Sequence, residues 1–366
     1  MRRRDFFLIS GAVYGQGGAA GEKPREWVTA AASRDTAPRV GLIPSTFAGS
    51  EELDGKKIRR LVKPAKLEAA LTGAQLEDML RLAVELGGGR RGGLVTAIDR
   101  EDWVVVKVCV GALPGADFHP GKISDPRLAR AVLRYLAEKG LGRRFTIAEG
   151  APGRGAAWET TWGGEFEGLS YRAMVGQLAK QYPRLQYELV DLNTAPALKM
   201  PVEGRVFAAK NAAGMYHVPR VLRECDKVIS IAPLGTGAGS GVGLTVMNYL
   251  GFAPGEKYGY PKSGLAALGA AGEVALDYYS FHPADYAIVG GTMAGDGKGA
   301  RRHNVVIAGT NGPAVDAVGA AVMGFESTGI RHLELAVERG YGLNDAYSIW
   351  TRGAEIEEVK AEFGRE

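Results

Sequence analysis

From residue 102 onward, short and nearly continuous apolar runs alternate with longer stretches whose apolar residues recur every three or four positions. Trp103-Val-Val-Val-Lys-Val-Cys-Val110 reads as a strand covered on both faces. Ser124-Asp125-Pro126 then places a capping residue ahead of a proline at the first helical position. Leu128, Val132, Tyr135 and Leu136 form the apolar stripe of that helix, and Gly140 ends it. Phe145–Ala148 is the next strand, and the spacing predicts a helix near 169–181 followed by a strand over Tyr187–Leu192. Lys227–Pro233, Tyr286–Val289 and Asn304–Ala308 are further short apolar strands. Asn311-Gly-Pro313 opens a helix that turns Val315, Val318 and Val322 inward and stops at Gly324. A last helix carries Ile330, Leu333 and Val337 and ends at Gly340. Upstream, residues 38–100 mix turns with one helix: Thr72-Gly-Ala-Gln75 is a capping box, and Leu76, Met79, Leu80 and Ala83 share a face. Alternating strands and helices predict an α/β fold, a mainly parallel sheet with helices on both faces. The expected organisation is a leader over 1–32, an N-terminal segment over 38–100 and an α/β domain over 101–366.

Composition narrows the function classes. The 366 residues are 46% hydrophobic and 23% charged, as in ordinary globular chains. A net charge of +4 is too weak to argue for nucleic acid as a partner. The two cysteines, Cys109 and Cys225, form no C-x-x-C or histidine–cysteine cluster, which argues against a structural zinc or an iron–sulfur cluster held by this chain alone. Cys109 reads as a buried inert thiol, and a Cys109–Cys225 disulfide is an alternative that spacing does not support.

The N-terminus, Met1-Arg-Arg-Arg-Asp-Phe-Phe-Leu-Ile-Ser10, resembles a twin-arginine export signal, with Gly18-Ala19-Ala20 or Ala30-Ala31-Ala32 as ends. It implies export out of the cytoplasm, and the alternative is an uncleaved leader on a cytoplasmic protein. No stretch is long and apolar enough for an integral membrane segment.

Candidate chemistry gathers after the strands, because parallel sheets bind ligands at the carboxyl ends of their strands. Lys107 is a charge inside an apolar strand and needs a partner or a ligand. Glu149 stands at a strand end before a Gly/Pro-rich loop, as an acid/base, a metal ligand, or a carboxylate bonding loop N–H groups. His119 lies in the loop after the first strand. The stretch from Gly235 to Gly243, with Gly237, Gly239 and Gly241, lacks a Walker lysine and any G-x-G-x-x-G register. It reads as a close-packed turn or an anion-binding nest. Asn248 follows it, as a turn cap or a ligand contact. Asp316 sits near the start of its helix, facing the helix dipole or a strand-end site. Asp296, in a glycine turn, and Trp158 and Trp162, as a lid or as packing, complete the set.

These landmarks resemble the domain of unknown function 362 family over roughly residues 90–360. The resemblance rests on Val104-Val-Val-Lys107, Ser124-Asp-Pro-Arg-Leu128, Ile147-Ala-Glu-Gly150, Phe166-Glu-Gly-Leu-Ser-Tyr171, Asp226–Pro233, Gly243–Gly251 and Gly312–Phe325, in that order. It implies an α/β fold, a strand-end site and a redox or iron–sulfur partner protein. The chain departs from the family pattern at four or more polar positions. Lys107 is followed by Val108-Cys109 where the family has proline and asparagine. The Pro233 strand lacks the family's lysine and histidine, Met247 replaces a lysine before Asn248, and Gly290 replaces an acidic residue. The expectation is therefore an exported α/β protein with a small-anion or metal-dependent site at the strand ends, its cofactor and metal unassigned. The alternative is a non-catalytic binding or structural module on the same scaffold.

Overall fold

A computed structural model describes residues 38–365, apart from 50–51, 54–55, 58–59, 89–92, 116–117, 155–156, 238 and 298. The arginine-rich leader and both of its expected ends lie outside the described residues, as do Gly89 and Asp117.

The principal strands are β1 (Arg39–Pro44), β2 (Trp103–Lys107), β3 (Arg144–Glu149), β4 (Gln186–Asp191), β5 (Ala197–Pro201), β6 (Met215–Pro219), β7 (Lys227–Gly237), β8 (Tyr286–Asp296), β9 (Val305–Gly309) and β10 (Trp350–Gly353). The principal helices are α1 (Gly73–Gly88), α2 (Pro126–Lys139), α3 (Tyr171–Gln181), α4 (Ala271–Phe281), α5 (Gly312–Val322) and α6 (Arg331–Glu338). The main sheet runs β10-β1-β9-β8-β7-β2-β3-β4. Its neighbours pair in parallel except at β9, which is antiparallel to both β1 and β8. The fold is thus mixed α/β with a large, mostly parallel sheet. β5 and β6 form a separate antiparallel hairpin.

Local chemistry accounts for the helix starts. Thr72 and Gln75 exchange the reciprocal capping bonds at α1, from Thr72 N to Gln75 Oε1 (3.0 Å) and from Gln75 N to Thr72 Oγ1 (3.3 Å). Asp125 caps α2 by accepting from Arg127 N at 2.8 Å, and Gly140 ends the helix in the left-handed region. Asn311 caps α5 through Ala314 N at 2.9 Å.

Strand β1 departs from the expected pattern, since residues 38–100 read as turns and one helix, and β10 lies where no strand is expected. The RVGLIP sequence of β1 contains a glycine and a proline, both poor strand formers. The glycine is there for packing. A Cβ on Gly41 would overlap the main-chain carbonyl of Ala83, so α1 lies directly on β1. The β1 strand pairs between β9 and β10, which makes the N-terminal segment continuous with the sheet.

Strands β7 and β8 run four to seven residues past the expected ends, and both carry glycines in the extension. Gly235 and Gly295 pair there in close contact with the Gly121 carbonyl, an approach that larger residues would block. Side chains alternate along β2: Val104 and Val106 pack with α1, α2 and α3, whereas Val105 packs with α4.

Candidate functional site

Strand order determines where a crevice forms. The β2→β3→β4 connections step toward one edge of the sheet, and β7→β8 steps toward the other. The order therefore reverses between β2 and β7, and the space beyond the carboxyl ends of those two strands is where open parallel sheets hold ligands. Lys107 is the last residue of β2, Glu149 the last of β3, and Ser230 of β7 is the register partner of Lys107.

Three of the expected residues converge there. Lys107 Nζ bonds the Glu149 carboxylate, donates to Asn248 Oδ1 at 2.8 Å and donates to the Val108 carbonyl at 2.6 Å. Lys107 is fully buried, and Glu149 and Asn248 are each 6% exposed. The Asn248 amide donates to the Lys107 carbonyl (3.1 Å), Ser230 Oγ (3.1 Å) and the Ile231 carbonyl (3.2 Å), so it ties β2 to β7 across the reversal point. An ammonium with three acceptors has all its N–H groups satisfied. The Phe252 ring, 5.7 Å from Lys107 Nζ, adds an aromatic face. Gly251 is required here, since a Cβ would overlap Lys107 Nζ.

Asp316 has a different place from the ligand contact expected of it. It is fully buried and accepts from Thr245 N (2.9 Å), Thr245 Oγ1 (2.5 Å) and Val246 N (2.8 Å). Burial without a counter-charge pushes its carboxyl up to about 7. Its role is to fix the 245–246 backbone that delivers Asn248. Ser230 Oγ donates to the Thr245 carbonyl at 3.0 Å, which completes a buried chain from Asp316 through Thr245, Ser230 and Asn248 to Lys107 and Glu149.

The glycine-rich stretch is not part of this cluster. Gly241 pairs with Gly237 and Val242 with Thr236, so the chain folds back on β7 as a tight antiparallel turn. Gly239 and Gly241 take φ of 70° and 79° there, conformations that glycine adopts without strain. Ser240 N and Gly243 N bond the carbonyls of Gly237 and Gly235, which takes up donors that an anion nest would need. Gly237 lies seven residues past Ser230, on the order of 20 Å along an extended strand. His119 is buried at the start of a short turn, Pro120–Lys122, whose Gly121 packs against the main chain of Ala294 and Gly295. That turn belongs with the glycine extensions of β7 and β8.

Other candidates have structural places. Asp296 bonds Gly364 N and pairs with Arg301 at 3.4 Å. Trp158 packs edge-on against Tyr171 and Trp162 stacks on Phe118, both nearly buried, so neither is a mobile lid. Gly290 faces the Leu128 side chain of α2, an apolar setting. Neither Cys109 nor Cys225 is in a disulfide, and burial pushes Cys109 up to about 12.

Sequence reading missed Lys262. Its Nζ donates to the carbonyls of Gly150 (2.8 Å), Gly251 (3.1 Å) and Leu250 (3.5 Å), one peptide away from the Lys107–Glu149 pair. Burial, together with the nearby Lys107 charge and against the pull of Glu149, lowers its amine to about 7. Asn193, fully buried, holds the same two loops together: its amide donates to the Ala151 carbonyl at 2.8 Å, and its Oδ1 accepts from Gly255 N at 3.1 Å. A lysine in the Gly/Pro stretch Tyr258-Gly-Tyr-Pro-Lys262 carries no periodic signal; only the fold returns it to Glu149.

Among the described residues no group of three His, Cys, Asp or Glu side chains is arranged to hold a metal ion, and no helix is long and apolar enough to cross a membrane. A family model described as Domain of unknown function (DUF362) matches residues 104–321. That span contains every member of the cluster. No curated protein matches the chain.

Proposed function

We propose, for this chain, which belongs to the domain of unknown function 362 family, a small-anion site beyond the carboxyl ends of β2, β3 and β7. Lys262 and Lys107 supply its positive field, and Lys262 with Glu149 exchanges protons with the ligand. The observation that carries this reading is the convergence of Lys107, Glu149 and Asn248 at the point where the strand order reverses. A buried ion pair is a poor source of net stability. When Lys262 is protonated, two ammonium groups stand beside the Glu149 carboxylate, with Asp191 also in electrostatic reach, and that field draws an anion. An amine held near 7 carries or releases a proton at neutral pH, as acid/base work requires.

A second reading has its own support. All three N–H groups of Lys107 already have protein acceptors, as in a scaffold whose site no longer turns over. Calorimetric titration with inorganic phosphate and with acetate separates the two. Saturable binding by the wild type, weakened about tenfold or more in Lys262→Met, supports the anion site; no saturable heat with either anion sinks it and leaves the scaffold.

The finer elements of the proposal rest on sequence. The twin-arginine-like leader supports export, and a redox or iron–sulfur partner follows from the family resemblance alone. Helices on both faces of the sheet are supported by the division of the β2 side chains between two apolar clusters.

A further inference from the structure

At the opposite ends of the same strands stands a cluster that the anion site does not use. Cys225 immediately precedes β7, His282 closes α4, and Asp285 precedes β8. His282 Nδ1 lies 3.7 Å from Cys225 Sγ and 3.1 Å from the Leu222 carbonyl, and His282 Nε2 lies 3.3 Å from Asp285 Oδ2. Each ring nitrogen therefore has an oxygen neighbour, and the Leu222 carbonyl also accepts from Cys225 Sγ at 3.6 Å. Asp285 accepts from Val228 N at 2.9 Å and pairs with Lys227 at 3.2 Å; despite its burial, the His282 and Val228 bonds and the Lys227 charge hold it below the usual carboxylate range. An anion is thus fixed on the far side of the imidazole from the sulfur.

We propose that Cys225, His282 and Asp285 form a reactive-thiol site in which the His282 ring, held by Asp285 beside the Cys225 sulfur, favours the Cys225 thiolate toward small electrophiles and peroxides. Cys225 is 5% exposed, while the His282 and Asp285 side chains keep 15% and 16% exposure, so the cluster opens to solvent on its imidazole side. Among the described groups around it are Lys227, paired with Asp285, and the phenols Tyr249 and Tyr279, which burial keeps protonated. Tyr249 donates to the His282 carbonyl at 2.9 Å, and Arg223 donates to the Phe281 carbonyl at 3.3 Å. Burial raises a thiol pKa, and a protonated imidazole beside the sulfur lowers it; His282 is the group placed to do so. With hydrogen peroxide as oxidant, the thiolate sulfur attacks one peroxide oxygen. An S–O bond forms, the O–O bond breaks, and the departing hydroxide takes a proton to become water. The cysteine is oxidised to sulfenic acid and the peroxide is reduced.

The test uses the full chain and needs no ligand. Iodoacetamide labelling is followed by peptide mass spectrometry from pH 5 to 9, with Cys109 as the internal comparison. Cys225 is expected to label in the native protein with a midpoint about one unit or more below an ordinary thiol. Cys109 is expected to label only after denaturation. His282→Asn is expected to slow Cys225 labelling at pH 6 by about tenfold or more. In case that variant does not fold, the ultraviolet thiolate absorbance of the wild type is titrated against Cys225→Ser. Dimedone trapping after peroxide is expected at Cys225. No native labelling of Cys225, or a thiolate midpoint at or above that of an ordinary thiol, overturns the proposal.

Discussion

Removing one member of the Lys107–Glu149 pair should be far worse than removing both. Lys107 is completely buried and Glu149 is 6% exposed. Glu149→Gln leaves the ammonium with two neutral acceptors, the Val108 carbonyl and Asn248 Oδ1. Two unit charges in contact, at an effective dielectric near 20, attract by roughly 5 kcal/mol. Breaking a buried pair by removing one partner costs about 3–5 kcal/mol, because the other charge stays buried. Lys107→Met should cost a similar amount, since the buried Glu149 carboxylate then loses the ammonium paired with it. In Lys107→Met/Glu149→Gln neither charge of the pair remains, so the double variant should lose about 2–4 kcal/mol less than the sum of the two singles. Urea unfolding of the four proteins, with the midpoint and slope measured for each, gives the coupling energy. Additive losses would show that the two charges do not depend on each other, and the site as described would fail.

Other consequences are open to measurement. Lys262 is lowered from its ordinary 10.5 to about 7, so between those values the unfolded chain binds a proton that the native one does not. Its contribution to stability therefore rises with pH from about 7 to about 10 and is lowest below 7. Lys262→Met should flatten that rise by about 1.4 kcal/mol per pH unit at most; an unchanged slope refutes it. Asp316 runs the other way: its carboxyl is raised from 3.8 to about 7, so it costs stability progressively from about pH 4 to pH 7. Thermal melts of Asp316→Asn should lack that decline, so relative to wild type the variant gains stability as pH rises from about 4 to 7, and no such relative gain would contradict the assignment. Gly41→Ala places a Cβ on the Ala83 carbonyl and should destabilise by about 1–3 kcal/mol. A melting temperature equal to wild type would mean that α1 does not lie on β1 as described. Gly251→Ala should disrupt the Lys107–Glu149 contact and weaken any phosphate or acetate binding seen in the wild type, whereas Gly140→Ala, whose Cβ meets open space, should leave that binding unchanged.

Local pattern was enough for the elements whose signals are local. The capping box at Thr72 and Gln75, the Asp125 and Asn311 caps and the apolar run of β2 are written in adjacent residues, and each depends on bonds or burial within a few positions. The same holds for Lys107 and Glu149, because a charge in a buried run and a carboxylate at a strand end are anomalies visible in one stretch of chain. Other features depended on what lies across the fold. Gly41 weakens β1 as a strand in sequence terms, yet it is what lets α1 sit on the sheet. The glycines after Pro233 read equally as a nest or a turn, and strand pairing across Gly237 and Gly241 selected the turn. Asp316 and Lys262 are separated from their partners by 71 and 112 positions. Nothing in their neighbours distinguishes a carboxylate that fixes a distant backbone, or an amine roofing a distant ion pair, from surface charge. Sequence alone determined which residues were chemically out of place; tertiary structure decided which of them meet, because sheet order is set by packing between segments far apart in the chain.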